Sequence, residues 1–236
     1  MPLQSQMQVK LVFLVATLFL FQNHAQATAV FDSAFGTNGR IVTTVGDEAA
    51  ARATIIQPDG KIIVVGDVQR TFFDRDAVLV RYNSNGTHDA DFGNNGKVIT
   101  TILNQTPTLY AVALQPDGKI VVAGDIQPEE GSTVSDFLVA RFNSNGSLDA
   151  NFGNGGAVVL NQSQMDSFSA VVVQPDGKIV AAGSTSQNNY EGAIARFNTD
   201  GTLDAGFGSG GRVFISLPNL SNERFRARRC WRTGGF

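Results

Sequence analysis

One hydrophobic pattern recurs three times along the chain, beginning at Gln57, Gln115 and Gln174 and spaced by 58 and 59 residues. Each copy reads "QPDGK" followed by a continuous apolar run, "IIVVG", "IVVAG" or "IVAAG". Apolar runs of this length without polar alternation, bounded by turn residues, are typical of strands covered on both faces. The Pro-Asp-Gly step presets a tight turn, so each copy predicts a hairpin with the apolar stretch that precedes it.

A second phrase recurs in phase with the first, as "RYNSNGTHDADFG" at Arg81, "RFNSNGSLDANFG" at Arg141 and "RFNTDGTLDAGFG" at Arg196. It follows an apolar stretch and precedes another, and its Asn-Gly or Asp-Gly step favours a chain reversal. Each repeat therefore predicts four short strands. We expect the phenylalanines of this phrase and of a partial copy near the start to fill the core, namely Phe35, Phe92, Phe152 and Phe207.

Four antiparallel strands, buried on both faces and repeated, describe the blades of a β-propeller. The period is too long for one coil of a β-helix, and helical repeats would lack the hairpin signals. The sequence thus predicts an all-β array of four-stranded blades over about 46–103, 104–161 and 162–216, with 31–45 as a lone outer strand. Three blades fall short of the roughly four to eight that close a ring. We therefore expect an exposed blade face and possible self-association through open strand edges.

The pairing of "QPDGKIVVAG" with "ARFNSNGSLDANFGNGG" resembles the delta-60 repeat family, over roughly residues 31–212. The resemblance implies a β-propeller of a secreted bacterial protein. It implies no catalytic residues, because the family motif is structural.

The two ends of the chain differ from the repeats. An apolar run at 11–21 follows Lys10 and precedes "AQA", which predicts a secretory signal peptide over 1–27, cleaved near Ala27, and a secreted or cell-surface protein. The 224–236 tail is basic and holds Cys230, which cannot form a disulfide within the chain. A fourth repeat is due there, so we interpret the tail as a possible frameshifted repeat. The repeats at 28–223 keep all 21 acidic residues, which disfavours a nucleic-acid partner.

Few residues offer catalytic chemistry. The chain has two histidines, one in the leader and the other, His88, where the other copies have leucine. We therefore expect no enzyme, no cofactor and no metal. The phrase at Arg141 resembles a calcium loop, but arginine stands in its first ligand position and would repel the cation. We expect a structural latch of ion pairs instead, although calcium binding stays open: Arg81–Asp89, Arg141–Asp149 and Arg196–Asp204.

The loops that diverge between copies should project from the face opposite the turns, where specificity can reside. Acidic residues there are weak candidates for binding a cationic or polyhydroxyl ligand: Asp47, Glu48, Glu129, Glu130, Asp136, Asp166 and Glu191. The sequence favours an exported non-catalytic repeat scaffold or binding module, with a protein or glycan partner. The alternatives are a carbohydrate-active propeller enzyme and a truncated, nonfunctional fragment of a longer surface protein.

Overall fold

The computed structural model describes residues 31–216 except 47, 72–73, 130 and 187–190. The predicted signal peptide (1–27) and the basic tail (224–236) lie outside the described residues. Within them the chain forms twelve strands and no helix. The strands are β1 (Ala49–Ile56), β2 (Ile62–Gln69), β3 (Arg75–Tyr82), β4 (Lys97–Thr100), β5 (Thr106–Leu114), β6 (Ile120–Gln127), β7 (Asp136–Phe142), β8 (Ala157–Leu160), β9 (Asp166–Val173), β10 (Ile179–Thr185), β11 (Glu191–Phe197) and β12 (Arg212–Ile215). No helix in the described part is long and apolar enough to cross a membrane.

The strands form three four-stranded sheets, each antiparallel and each in chain order: β1 to β4, β5 to β8 and β9 to β12. The prediction of all-β, four-stranded antiparallel blades is confirmed. The Pro-Asp-Gly turns join the first two strands of each blade. The ends of the first strands and these turns, from all three blades, line one open depression of about 520 Å³. The first strands β1, β5 and β9 therefore surround a common axis.

The core consists of two apolar layers between the sheets. Ile63, Leu79 and Phe92 of the first blade pack with Ile120, Leu138 and Phe142 of the second, and all six are fully buried. On its other side the second blade packs Val121, Val139 and Phe152 against Phe168, Ile179 and Phe197 of the third. We call the side of a sheet that meets the following blade its forward face, and the other its rear face. The middle sheet is covered on both, which explains why "IVVA" shows no polar alternation.

The chain divides into two compact units, with a boundary at Arg40. In the unit up to Arg40, the described residues form a turn in which the amide of Thr37 donates to the carbonyl of Arg40 (2.8 Å). The Arg40 guanidinium lies 4.7 Å from the Phe31 ring centre. Phe35 is only partly buried there.

Residues 41–45 belong to the unit that contains the three sheets, and we call them the strap. Ile41 and Val45 pack on the rear face of the first sheet, against Val68, Val78, Val80 and Tyr82. The lone outer strand expected over 31–45 is not formed, since the structure assigns no strand there. A strand needs a ladder of backbone partners, and the strap has side-chain contacts instead.

Each innermost strand contains a β-bulge at the same place in the repeat. The extra residues are Arg52, Tyr110 and Ser169, each five residues before the glutamine of the turn. Opposite the bulges stand Gly66, Gly124 and Gly183, where an added Cβ would lie 1.8–1.9 Å from a backbone carbonyl oxygen of the neighbouring strand. The last glycine of "VVG", "VAG" and "AAG" is therefore required by close backbone approach, as is common at bulges.

We predict that Gly124→Ala destabilises the protein by about 3 kcal/mol or more, because the methyl group must push the β5 backbone away. Gly192→Ala is the matched control, since its Cβ would meet nothing closer than 3.6 Å. Urea unfolding followed by circular dichroism measures both. Equal stability of the two variants would contradict this role of the bulge glycine.

Candidate functional site

The structure brings together each arginine–aspartate pair of the repeated turn. Arg81 Nε lies 2.6 Å from Asp89 Oδ2, Arg141 Nε 2.8 Å from Asp149 Oδ2, and Arg196 Nε 2.7 Å from Asp204 Oδ2. Each carboxylate also binds the lysine of "PDGK", at 2.9, 3.1 and 2.8 Å in chain order. Each guanidinium lies over the phenylalanine ring of its own repeat, 4.5–4.7 Å from the ring centre. Each latch carboxylate is thus already paired with two cations, an arrangement that disfavours a further divalent cation.

The first two arginines also reach the following blade. Arg81 Nη1 donates to the carbonyl of Ser144, and Arg141 Nη1 donates to that of Thr199, both at 2.6 Å. Beside them the amides of Gly93 and Gly153 donate to the carbonyls of Asn145 (2.9 Å) and Asp200 (2.8 Å). The latch therefore links each of the first two blades to the next. The residue spacing predicts only the ion pair within one turn and not this link between blades.

The latch lowers the pKa of its buried carboxyl groups. Burial would raise the pKa of Asp89, but the hydrogen bonds from Lys61, from the Asp91 amide and from Arg81 outweigh it. Asp149 has a lowered pKa for the same reasons, with Lys119 making the largest favourable contribution. The latch is therefore strongest when these groups are ionised, above about pH 4, and is lost as they become protonated below it.

The acidic loop residues do not form one binding face. Asp47 and Glu130 lie outside the described residues, and Glu48 and Glu129 are exposed. Asp136, Asp166 and Glu191 are buried. Asp166 accepts hydrogen bonds from the amides of Gln162 and Ser163, and so shapes its own loop. Burial, and then the charge of Asp166, raises the pKa of Asp136.

A different polar group lies at the divergent-loop end of the axis, between the first two blades. We call Arg52, Asp67, Arg75, Tyr110 and Asp125 the axial cluster. Arg52 Nε lies 2.5 Å from Asp67 Oδ1, and Arg75 Nη1 binds the other oxygen of the same carboxylate. The Arg52 guanidinium lies 5.2 Å from the centre of the Tyr110 ring. Arg52 and Tyr110 are the bulge residues of their strands, so the bulges aim these two side chains.

Asp125 is the least compensated member of the axial cluster. Its Oδ1 is buried without a hydrogen-bond partner among the described residues. Burial raises the pKa of the Asp125 carboxyl to about 7; a hydrogen bond from Thr108 and the charge of Arg52 oppose this, and the charge of Asp67 adds to it. Burial also raises the pKa of Tyr110. The axial cluster thus combines guanidinium groups, a phenol ring and a carboxyl group that titrates near neutral pH.

Sequence reasoning missed this group, although a signal was present. The residue five before each turn glutamine is Arg52, Tyr110 or Ser169, and the residue after each bulge-facing glycine is Asp67, Asp125 or Ser184. The frame around these positions is nearly constant while the side chains change. The hydrophobic pattern does not reveal a bulge, so that pattern alone gives no reason to single out these positions.

A family described as "Domain of unknown function (DUF5122) beta-propeller" matches the chain over residues 57–92, 115–152 and 174–207. The three repeats are DUF5122 β-propeller repeats. No curated protein matches the chain. Each DUF5122 match begins at the turn glutamine and ends at the phenylalanine that the latch arginine contacts. The matches therefore include the latch, whereas the bulge residues Arg52, Tyr110 and Ser169 lie outside them.

No group of three or more histidine, cysteine, aspartate or glutamate side chains in the described part of the chain is arranged to hold a metal ion. The axial cluster instead offers hydrogen-bond donors and acceptors for a polar ligand. Groups of these kinds form charge-assisted hydrogen bonds and ring contacts.

We predict that Arg141→Ala costs about 3 kcal/mol of unfolding free energy, because it leaves Asp149 and the Thr199 carbonyl buried with fewer partners. Arg196→Ala is the matched control and should cost about 1 kcal/mol, since its side chain is 25% exposed and, within the described part of the chain, binds only residues of its own blade. Urea unfolding near pH 7 compares them. Equal losses would contradict the inter-blade role of Arg141.

We predict that Asp125→Asn changes the pH dependence of stability. The carboxyl binds its proton more tightly in the folded chain, so the unfolding free energy should fall between about pH 4 and about pH 7, by up to about 4 kcal/mol from this group. The variant should therefore be stabilised relative to the unsubstituted protein at about pH 8 and not at about pH 4.5. Asp117→Asn, at a half-exposed turn carboxylate, is the control. A parallel pH dependence in all three proteins would contradict the burial of Asp125.

Proposed function

We propose that this chain is an exported, non-catalytic β-propeller module that binds a polyhydroxyl ligand, such as a glycan, through the axial cluster. The observation that carries the proposal is the variation of the bulge residues. Three blades with nearly identical scaffolds place Arg52, Tyr110 and Ser169 at the same aimed position. Arg52 and Tyr110 belong to the axial cluster, whereas Ser169 of the third blade lies outside it. Different side chains on equivalent rigid strands thus allow one pair of blades to form a site without altering the fold.

The side chains of the axial cluster suit a ligand rich in hydroxyl groups. The guanidinium of Arg52 donates and the carboxyl of Asp125 accepts or donates, according to its protonation, so both can pair with neighbouring hydroxyls. The Tyr110 ring presents an apolar surface with a polar tip, which suits the C–H faces of a sugar ring. Asp67 is neutralised by Arg52 and Arg75, so the site does not require a cationic ligand.

Export is part of the same proposal. It rests on the apolar run at 11–21 and the following "AQA". The chain has a single cysteine and so cannot form an internal disulfide. Outside the cell its stability would therefore depend on the burial of apolar surface.

A second candidate, a carbohydrate-active enzyme, is favoured by one observation. Burial, and to a smaller extent the charge of Asp67, raises the pKa of Asp125 to about 7. One protonated and one ionised carboxyl group is the arrangement that glycosidases use. We prefer the binding function because both oxygens of Asp67 are held by arginines, which leaves this carboxylate poorly placed to act as a base or nucleophile.

The test is a glycan array probed with the full chain, followed by calorimetry with the best glycan. Tyr110→Ala should weaken binding at least about tenfold, since it removes the ring contact. Ser169→Ala, at the same bulge in the third blade, is the matched control and should bind as before. Absence of binding to any glycan, or equal loss in both variants, would overturn the proposed site.

The same glycans separate the two functions. Incubation with the full chain should release no reducing ends from a glycan that it binds. Release of reducing ends that Asp125→Asn abolishes would establish the enzyme and refute the non-catalytic module.

A further inference from the structure

The forward face of the third sheet is uncovered by any strand among the described residues. Val180, Ala182 and Ile194 on this face are only partly buried. Their counterparts in the second blade, Val121, Ala123 and Val139, are fully buried under the third blade. At the margins of the same face Val172 is 57% exposed and Ile215 is 40% exposed.

This face also carries an unused half of the inter-blade latch. In the first two blades the latch arginine and the glycine after the phenylalanine donate to two carbonyls of the next blade. In the third blade Arg196 donates to Asp204 alone among the described residues, and no described carbonyl accepts from the amide of Gly208. Phe207 is correspondingly only partly buried, whereas Phe92 and Phe152 are fully buried. The forward face of the third blade thus presents two hydrogen-bond donors and an apolar surface that match the contacts made with a following blade.

The complementary half lies on the first blade. Ser144 and Asn145 of the second blade, and Thr199 and Asp200 of the third, supply the two accepting carbonyls. The equivalent residues of the first blade are Ser84 and Asn85, which are exposed, and no described residue donates to their carbonyls. The rear face next to them includes Ile99, 48% exposed, whose counterpart Val159 packs against the blade before it.

We propose that copies of this chain associate head to tail, with the forward face of the third blade of one copy receiving the first blade of the next. The chain carries both halves of an interface that it already forms twice internally, so the partner with matching chemistry is a second copy. Such a contact is heterologous, and it closes into a ring or continues as an open chain of copies.

The strap is the competitor for this contact. Ile41 and Val45 cover part of the rear face of the first blade. The strap is held by hydrogen bonds between Thr43 Oγ1 and both Tyr82 Oη (2.7 Å) and His88 Nε2 (3.1 Å), and by Lys97 Nζ donating to the Thr44 carbonyl (3.0 Å). These few bonds are weaker than a strand ladder. In the assembly, β12 of the incoming copy takes the place of the strap.

Sedimentation velocity of the full chain over a range of concentrations tests the proposal. We expect reversible, concentration-dependent oligomers. A forward-face variant, Val172→Lys with Ile215→Lys, and a rear-face variant, Ile99→Lys, should each raise the dissociation constant at least about tenfold, because each buries a lysine. All three residues are substantially exposed in one copy, so the monomer should fold. Thr133→Lys, at an exposed loop residue of the middle blade, is the control for added charge.

Mixing the two variants gives the decisive result. Each variant retains one intact half, so an equimolar mixture should form a heterodimer that neither forms alone. Loss of association in the forward-face variant only, with Ile99→Lys unaffected, would show that two third blades pack face to face and would overturn the proposal. A full chain that stays monomeric at every concentration would overturn it as well.

Thr43→Val tests the strap separately. Removing both hydrogen bonds of Thr43 should loosen the strap and lower the dissociation constant several-fold. A higher or unchanged constant would refute the exchange of strap for blade. None of these outcomes depends on the glycan site, since the axial cluster lies between the first two blades.

Discussion

Each sheet of this protein is apolar on both faces, and that condition governs the rest of the structure. A four-stranded sheet with one polar face can be solvated there, but these strands read "IIVV" or "IVVA" and require cover on both sides. The middle sheet has that cover, and residues such as Val121 and Leu138, on opposite faces, are fully buried. Stability is therefore largely a property of neighbouring pairs of blades, as in other repeat architectures. The latch strengthens the same pairs, because its guanidinium lies on the buried phenylalanine and its outer nitrogen bonds the next blade.

The features that the sequence predicts correctly depend on nearby residues. Strand positions follow from continuous apolar runs, and the Pro-Asp-Gly and Asn-Gly steps fix the turns between them. Repetition of these signals gave four-stranded blades and their order. The arginine–aspartate pairs are likewise contacts between residues close in the sequence, eight positions apart across one turn.

The features that sequence reasoning missed depend on contacts between distant parts of the chain. Arg81 bonds a carbonyl 63 residues away, and a single repeat gives no hint of it. The sequence predicts Asp136 and Asp166 on an exposed ligand-binding face, but both are buried. The bulge that aims Arg52 and Tyr110 exists because Gly66 and Gly124 let the backbones approach, and hydrophobic patterning does not record backbone distance. The strap forms no strand for a related reason. A strand needs a hydrogen-bonded neighbour, and for the strap that neighbour would have to be a distant segment of the chain.

Because every blade has a forward and a rear face of complementary shape, a linear series of blades always presents one unmatched face of each kind. The rear face of the first blade has a partial cover in the strap, whose Ile41 aligns with Val98, a residue of the fourth strand of a complete blade. The forward face of the third blade has no such cover among the described residues. A segment of five residues covers part of the first blade's rear face, and no described residue covers the third blade's forward face in this way. The two end faces therefore differ in how much of their apolar surface is covered. When the third blade of one copy packs on the first blade of the next, removing the strap costs free energy. Burial of a whole sheet, including Val180, Ile194 and Phe207, offsets that cost. The larger apolar area favours the blade, since the free energy of burial grows with the area removed from water.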